Sequence, residues 1–92
     1  MKVKICGITN FQDALDAINA GANALGFVFY ADSPRYITPL KAREIVEKLP
    51  PFIQTVGLFV NENENFINEV CHESKMQLAQ IIDDNEIVNY DL

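Results

Sequence analysis

The chain has no tryptophan, one histidine and two cysteines among its 92 residues. Cys6 and Cys71 stand far apart and form no C-x-x-C pair, and His72 has no second histidine to join it. That argues against both a disulfide framework and a metal site. Basic residues are scarce: 7 Lys and Arg against 13 Asp and Glu leave a net charge of -6. With no basic patch to neutralise phosphates, neither nucleic acid nor an anionic membrane surface is an expected partner. No run of about eighteen apolar residues occurs, and the chain opens directly in a strand pattern rather than a charged n-region and an apolar h-region. A soluble, unexported protein in a reducing cytoplasm is expected. Linkers and low-complexity segments are also missing, so residues 1–92 are read as a single domain or part of a larger one.

What is present is apolar and periodic. Hydrophobic residues make up 49% of the chain, too many for intrinsic disorder. Strand-like runs stand at Val3–Cys6, Ala24–Tyr30, Thr55–Asn61 and Met76–Ile82. Three helical stretches lie between them. The first has Asn10 as N-cap with Asp13 three residues on, a stripe of Phe11, Ala14, Leu15 and Ile18, and Gly21 as its stop. The second starts at Thr38-Pro39, carries Ala42, Ile45, Val46 and Leu49 inward, and ends at Pro50-Pro51. The third runs from about Glu62 to Glu73 with Phe66, Ile67, Val70 and Cys71 inward. Asp83-Asp84-Asn85 reads as the cap of a fourth helix containing Ile87 and Val88.

Strand–helix repetition at this spacing predicts βαβ units and a parallel sheet with right-handed crossovers. Four strands would make about half of a (β/α)8 barrel, which typically needs roughly 250 residues. A small open sheet is the alternative, and it would need helices on both faces.

The chemistry concentrates in Lys2 to Asn10. Period-2 alternation places Lys2, Lys4 and Cys6 on one face of the first strand. A cation two residues before a thiol can raise its thiolate fraction, and Gly7 leaves the backbone open to a ligand. On spacing alone, a small buried hydrophobe is the stronger reading of Cys6.

Several blocks extend this reading: Lys4-Ile5-Cys6-Gly7-Ile8-Thr9-Asn10, Asp13-Ala14, Gly21 to Tyr30, Ser33-Pro34-Arg35-Tyr36-Ile37, and Val56 to Asn61. In their order and spacing they strongly resemble the phosphoribosylanthranilate isomerases of tryptophan biosynthesis. The resemblance runs from Met1 to about Ile81 and covers less than half of that family's TIM barrel. It implies a cofactor-free Amadori rearrangement of N-(5′-phosphoribosyl)anthranilate to 1-(2-carboxyphenylamino)-1-deoxyribulose 5-phosphate. On the same ground, Cys6 is expected to be the general base at the sugar C2. Arg35 is expected to bind substrate, a guanidinium fork suiting the anthranilate carboxylate. The other reading of Arg35 is an exposed side chain paired with Asp32 or a helix carboxylate. Lys4 either supports the thiolate or satisfies carboxylates on neighbouring strands. Gly26 and Gly57 are expected to keep the barrel interior uncrowded.

Two departures stand out. Family members usually carry Gln-Leu-His-Gly-Asp/Glu after the fourth strand, where this chain has Gln80-Ile81-Ile82-Asp83-Asp84. The general acid at strand five and the phosphate loops after strands seven and eight, both implied by the resemblance, match no residue in this sequence. The 92 residues alone are therefore expected to be inactive. The alternative from another class is a non-catalytic half-barrel that self-associates through unpaired edges at strands one and four. A flavodoxin-like binding domain would need a better phosphate loop than Gly-Ile-Thr-Asn.

Overall fold

The computed structural model describes residues 2–82 and the backbone of residues 87–91. The elements run β1 (Lys4–Cys6), α1 (Phe11–Asn19), β2 (Ala24–Val28), α2 (Pro39–Val46), β3 (Gln54–Val60), α3 (Glu64–Ser74), β4 (Leu78–Ile82) and β5 (Ile87–Asp91). They form one sheet in the order β1-β2-β3-β4-β5. The first four strands are parallel, in registers that pair Cys6 with Gly26, Gly26 with Val56, and Val56 with Leu78.

Local chemistry sets the helix ends. Asn10 Oδ1 accepts from the Asp13 amide at 2.8 Å, and Asn63 Oδ1 accepts from the Phe66 amide at 2.8 Å. Each satisfies one of the amides that a first helical turn leaves free. The third cap is Asn63, one residue inside the start expected from periodicity. Gly21 leaves α1 at φ +105, a left-handed conformation costly for residues with a Cβ. The second helix ends at Val46, before the Pro50-Pro51 stop, and its last turn tightens into bonds from Lys48 to Ile45 and from Leu49 to Val46.

Alternation divides each strand between two faces. Leu25, Phe27, Phe59 and Ala79 are fully buried and join Ala14, Ala42, Ile45, Ile67 and Val70 in one core. All three helices contribute to that core, so they lie on one face of the sheet. An open doubly wound sheet would need a second helical layer. The opposite, concave face carries Lys4, Cys6, Gly26, Val56, Leu58 and Gln80. Lys4 Nζ donates to Gln80 Oε1 even though β2 and β3 lie between their strands. At about 4.8 Å per strand, the backbones of a flat sheet would be roughly 14 Å apart. The bond requires the sheet to curl into a trough, as barrel strands do.

Two expectations are corrected at the carboxyl end. Ile87 and Val88 lie in β5, which pairs antiparallel with β4, rather than in a fourth helix. Residues 83–85, read as that helix's cap, lie outside the described residues. Isolated helices much shorter than about 12 residues are marginal, β-branched Ile87 and Val88 favour extended backbone, and the β4 edge offers unpaired amides and carbonyls. The same pairing covers the edge expected to be open at β4. Among the described residues, the outer edges of the sheet are those of β1 and β5.

Candidate active site at the carboxyl rim of the sheet

Cys6 is the last residue of β1, and Gly7 follows at φ +90. The chain turns there because the Gly7 and Ile8 amides both donate to Gly26 O at 3.0 Å, closing the end of β1 onto β2. Cys6 is exposed, whereas the second thiol, Cys71, is 3% exposed. The buried small-hydrophobe reading therefore fits Cys71. Burial pushes the Cys71 thiol up to about 11 from its ordinary 9.0, which makes it inert near neutrality.

Arg35 lies in the segment after β2, where Val28 pairs with Tyr36 and the Ile37 amide donates to Val28 O at 3.0 Å. The Ser33 hydroxyl accepts from the Arg35 amide at 3.1 Å and shapes the turn. Its side chain crosses directly over Gly7: any Cβ built on Gly7 would overlap Arg35 Cδ. The guanidinium stem and the thiol-bearing turn are thus in contact at the same rim. Asp32, one of the carboxylates weighed as a partner for Arg35, instead accepts from the Tyr30 hydroxyl at 3.2 Å. That hydrogen bond and the Asp32 charge raise the Tyr30 phenol above its usual value. Ion pairs among the described residues join Glu47 to Arg43 and Lys75.

Lys4 points into the trough below Cys6, and its ammonium goes to Gln80 rather than to a carboxylate. Period-2 reading of β4 from Leu78 to Ile82 could have found this partner, since it puts Gln80 on the inward face. Gly26, expected to keep the interior uncrowded, lies beside the thiol. A Cβ there would stand 2.8 Å from Cys6 Sγ. The departure at Ile82 leaves the strand intact: Ile82 pairs with Val60, and its carbonyl accepts from the Asn61 amide at 2.9 Å.

A hollow of about 480 Å³, lined by Lys2, Asn23, Phe52, Gln54 and neighbours, opens at the opposite, amino-terminal end of the strands. It lies away from the thiol, and in barrels of this kind chemistry is built at the carboxyl ends. Among the described residues, no three His, Cys, Asp or Glu side chains converge as metal ligands, and no helix is long and apolar enough to cross a membrane.

A sequence model of the N-(5′-phosphoribosyl)anthranilate isomerases matches residues 3–90. The chain belongs to the phosphoribosylanthranilate isomerase family. A relative from Sulfurovum sp. (strain NBC37-1), an N-(5′-phosphoribosyl)anthranilate isomerase, is 62% identical over 81 residues, covering 88% of this chain and 41% of its own. The crystal structure of phosphoribosylanthranilate isomerase from Thermotoga maritima superposes with a TM-score of 0.89 at 46% identity, covering 94% of this chain and 42% of that one. A family structure in complex with reduced 1-(o-carboxyphenylamino)-1-deoxyribulose 5-phosphate matches equally well, with a TM-score of 0.89 at 46% identity, 94% of this chain and 44% of that one. The four parallel strands and their helices are thus half of a (β/α)8 barrel. The chain spans about two fifths of the length of the relatives it matches.

Proposed function

We propose that residues 1–92 are a single partial domain, the amino-terminal half of a phosphoribosylanthranilate isomerase acting in cytoplasmic tryptophan biosynthesis. The observation that carries this reading is the meeting of Arg35 and the Cys6–Gly7 turn at one carboxyl rim. The substrate is N-(5′-phosphoribosyl)anthranilate, and the reaction is an isomerisation, so no atom is gained or lost. Opening of the furanose ring, with a proton delivered to the departing ring oxygen, leaves a C1 iminium whose nitrogen keeps its hydrogen. The Cys6 thiolate then takes the C2 proton, the electron pair forms a C1–C2 enamine, and tautomerisation yields the 2-ketose. A thiolate suits the task because its pKa is tunable near neutrality. Arg35 holds the anthranilate carboxylate through its fork, and Gly7 lets the Arg35 stem cross close to the backbone. Lys4, tied to Gln80, keeps the trough below the thiol braced.

The ring-opening acid and the phosphate anchor find no counterpart in these residues. Loss of one acid–base partner typically costs about 10² to 10⁴ in rate, and loss of remote binding energy costs more. The purified 92-residue chain is therefore expected to leave anthranilate fluorescence unchanged when given substrate. Turnover comparable to a whole enzyme would overturn this reading. In a chimera where residues 1–81 replace the matched segment of the Sulfurovum relative, Cys6→Ala is expected to abolish kcat with KM nearly unchanged. Retained kcat would move the base elsewhere.

A second reading, self-association, keeps one specific support: the β1 edge, where Val3 and Ile5 are 40% and 41% exposed. Light scattering across a concentration series separates the two, since a persistent monomer excludes pairing through that edge.

A further inference from the structure

We propose that Gly26 is a positioning residue for the Cys6 thiol, acting both through the side chain it lacks and through its carbonyl. The proposal rests on the reading of Cys6 as the reacting group. Two independent features of β2 converge on the thiol-bearing turn. Gly26 is the register partner of Cys6, and an added Cβ would stand 2.8 Å from Sγ, 3.1 Å from Cys6 Cα and 3.2 Å from Cys6 Cβ. The Gly26 carbonyl, in turn, accepts from both the Gly7 and Ile8 amides at 3.0 Å. One residue therefore holds the backbone just after the thiol while leaving the volume into which the sulfur projects.

The physical consequence follows from which atoms can yield. Both Cα atoms are fixed by the ladder and by the two amide bonds, so the backbone gives little. Sγ is the free end of a one-torsion side chain. The contacts of a Cβ at position 26 with Cys6 Cα and Cβ need only a few tenths of an ångström from the strands. The 2.8 Å contact with Sγ is the one that forces a shift, and rotation of Cys6 to another staggered rotamer relieves it most cheaply. That rotation swings the sulfur away from the bearing it now has beside β2. Alanine at position 26 would thus leave the fold and the thiol present, but the thiol would point elsewhere. A Gly26 that served only to thin the interior would show no such coupling to Cys6.

The test uses the whole 92-residue chain and the pH dependence of its alkylation by iodoacetamide. Cys6 is exposed and Cys71 buried, so the native chain reports Cys6 alone. Gly26→Ala is expected to change the Cys6 alkylation rate at least threefold and to shift the pH midpoint of the profile. An unchanged rate and midpoint in a folded variant overturn the proposal. If Gly26→Ala fails to fold, the pair Gly26→Ala with Cys6→Ala decides. Recovery of the urea midpoint in the pair supports a clash with sulfur, and no recovery overturns it. A retained kcat in the Cys6→Ala chimera would instead sink the general-base reading, leaving the alkylation result as it stands.

Discussion

Replacing Phe59 by alanine should remove a large part of this chain's stability. Phe59 is fully buried on the helical face of β3, with its ring centroid 5.5 Å from Phe29 and 6.3 Å from Phe66 in an edge-to-face arrangement. The packing has no slack, because a Cβ on Gly57 would sit 3.1 Å from both the Phe29 and Phe59 rings. A site wedged between a strand and two other aromatic rings cannot collapse into the vacated space, so the cavity cost adds to the transfer cost. Buried Phe→Ala changes cost about 3–5 kcal/mol, and about 4 is expected here. A domain of 92 residues has roughly 5–14 kcal/mol in total. The melting temperature should fall by about 15–30 °C. Urea denaturation followed by far-UV circular dichroism measures it directly. Phe66→Ala serves as the internal comparison: Phe66 is 38% exposed and should cost about half as much. A Phe59→Ala loss below about 2 kcal/mol, or one equal to that of Phe66→Ala, would refute the argument that this aromatic cluster anchors α3 on the sheet.

Further outcomes follow from the buried thiol and the sheet edge. The Cys71 thiol stays neutral in the fold up to about 11 but ionises near 9.0 when unfolded, so stability should decline as pH rises between those values. Comparing pH 8.5 and 10.5 by urea titration checks this, and Cys71→Ala should flatten the difference; an equally steep decline there would assign it to other groups. Ending the chain at Ile82 removes β5, whose ladder with β4 has five register pairs. A net gain of about 1 kcal/mol per backbone bond is nearly offset by about 1–2 kcal/mol per ordered residue, so stability should barely change. The freed β4 edge should instead raise the apparent mass in light scattering as concentration increases, and an unchanged monomer would show that β5 is not what covers it.

The repeated order of strand and helix, the caps at Asn10 and Thr38, and most of the inward stripes were legible in the residues, because period and capping are local properties. Phe66, expected inward, is instead 38% exposed. So was the face shared by Lys4 and Cys6, which alternation alone dictates. The end of the chain was not. Ile87 and Val88 can be read as the start of a helix stripe, but their β-branching favours extended backbone, and the unpaired edge of β4, which no local pattern can see, gave that backbone a partner. The partner of Lys4 was likewise hidden, since Gln80 comes within reach only when the sheet curls. Gly7 and Gly26 were visible as glycines, but that Arg35 fills the space over one and the Cys6 sulfur the space beside the other depends on register between strands. Sequence by itself determined the elements from β1 to β4, the faces of their strands and the family resemblance. Tertiary structure alone decided which side chains meet, because contacts between residues distant in the chain are set by curvature and register, and neither is encoded in any one segment.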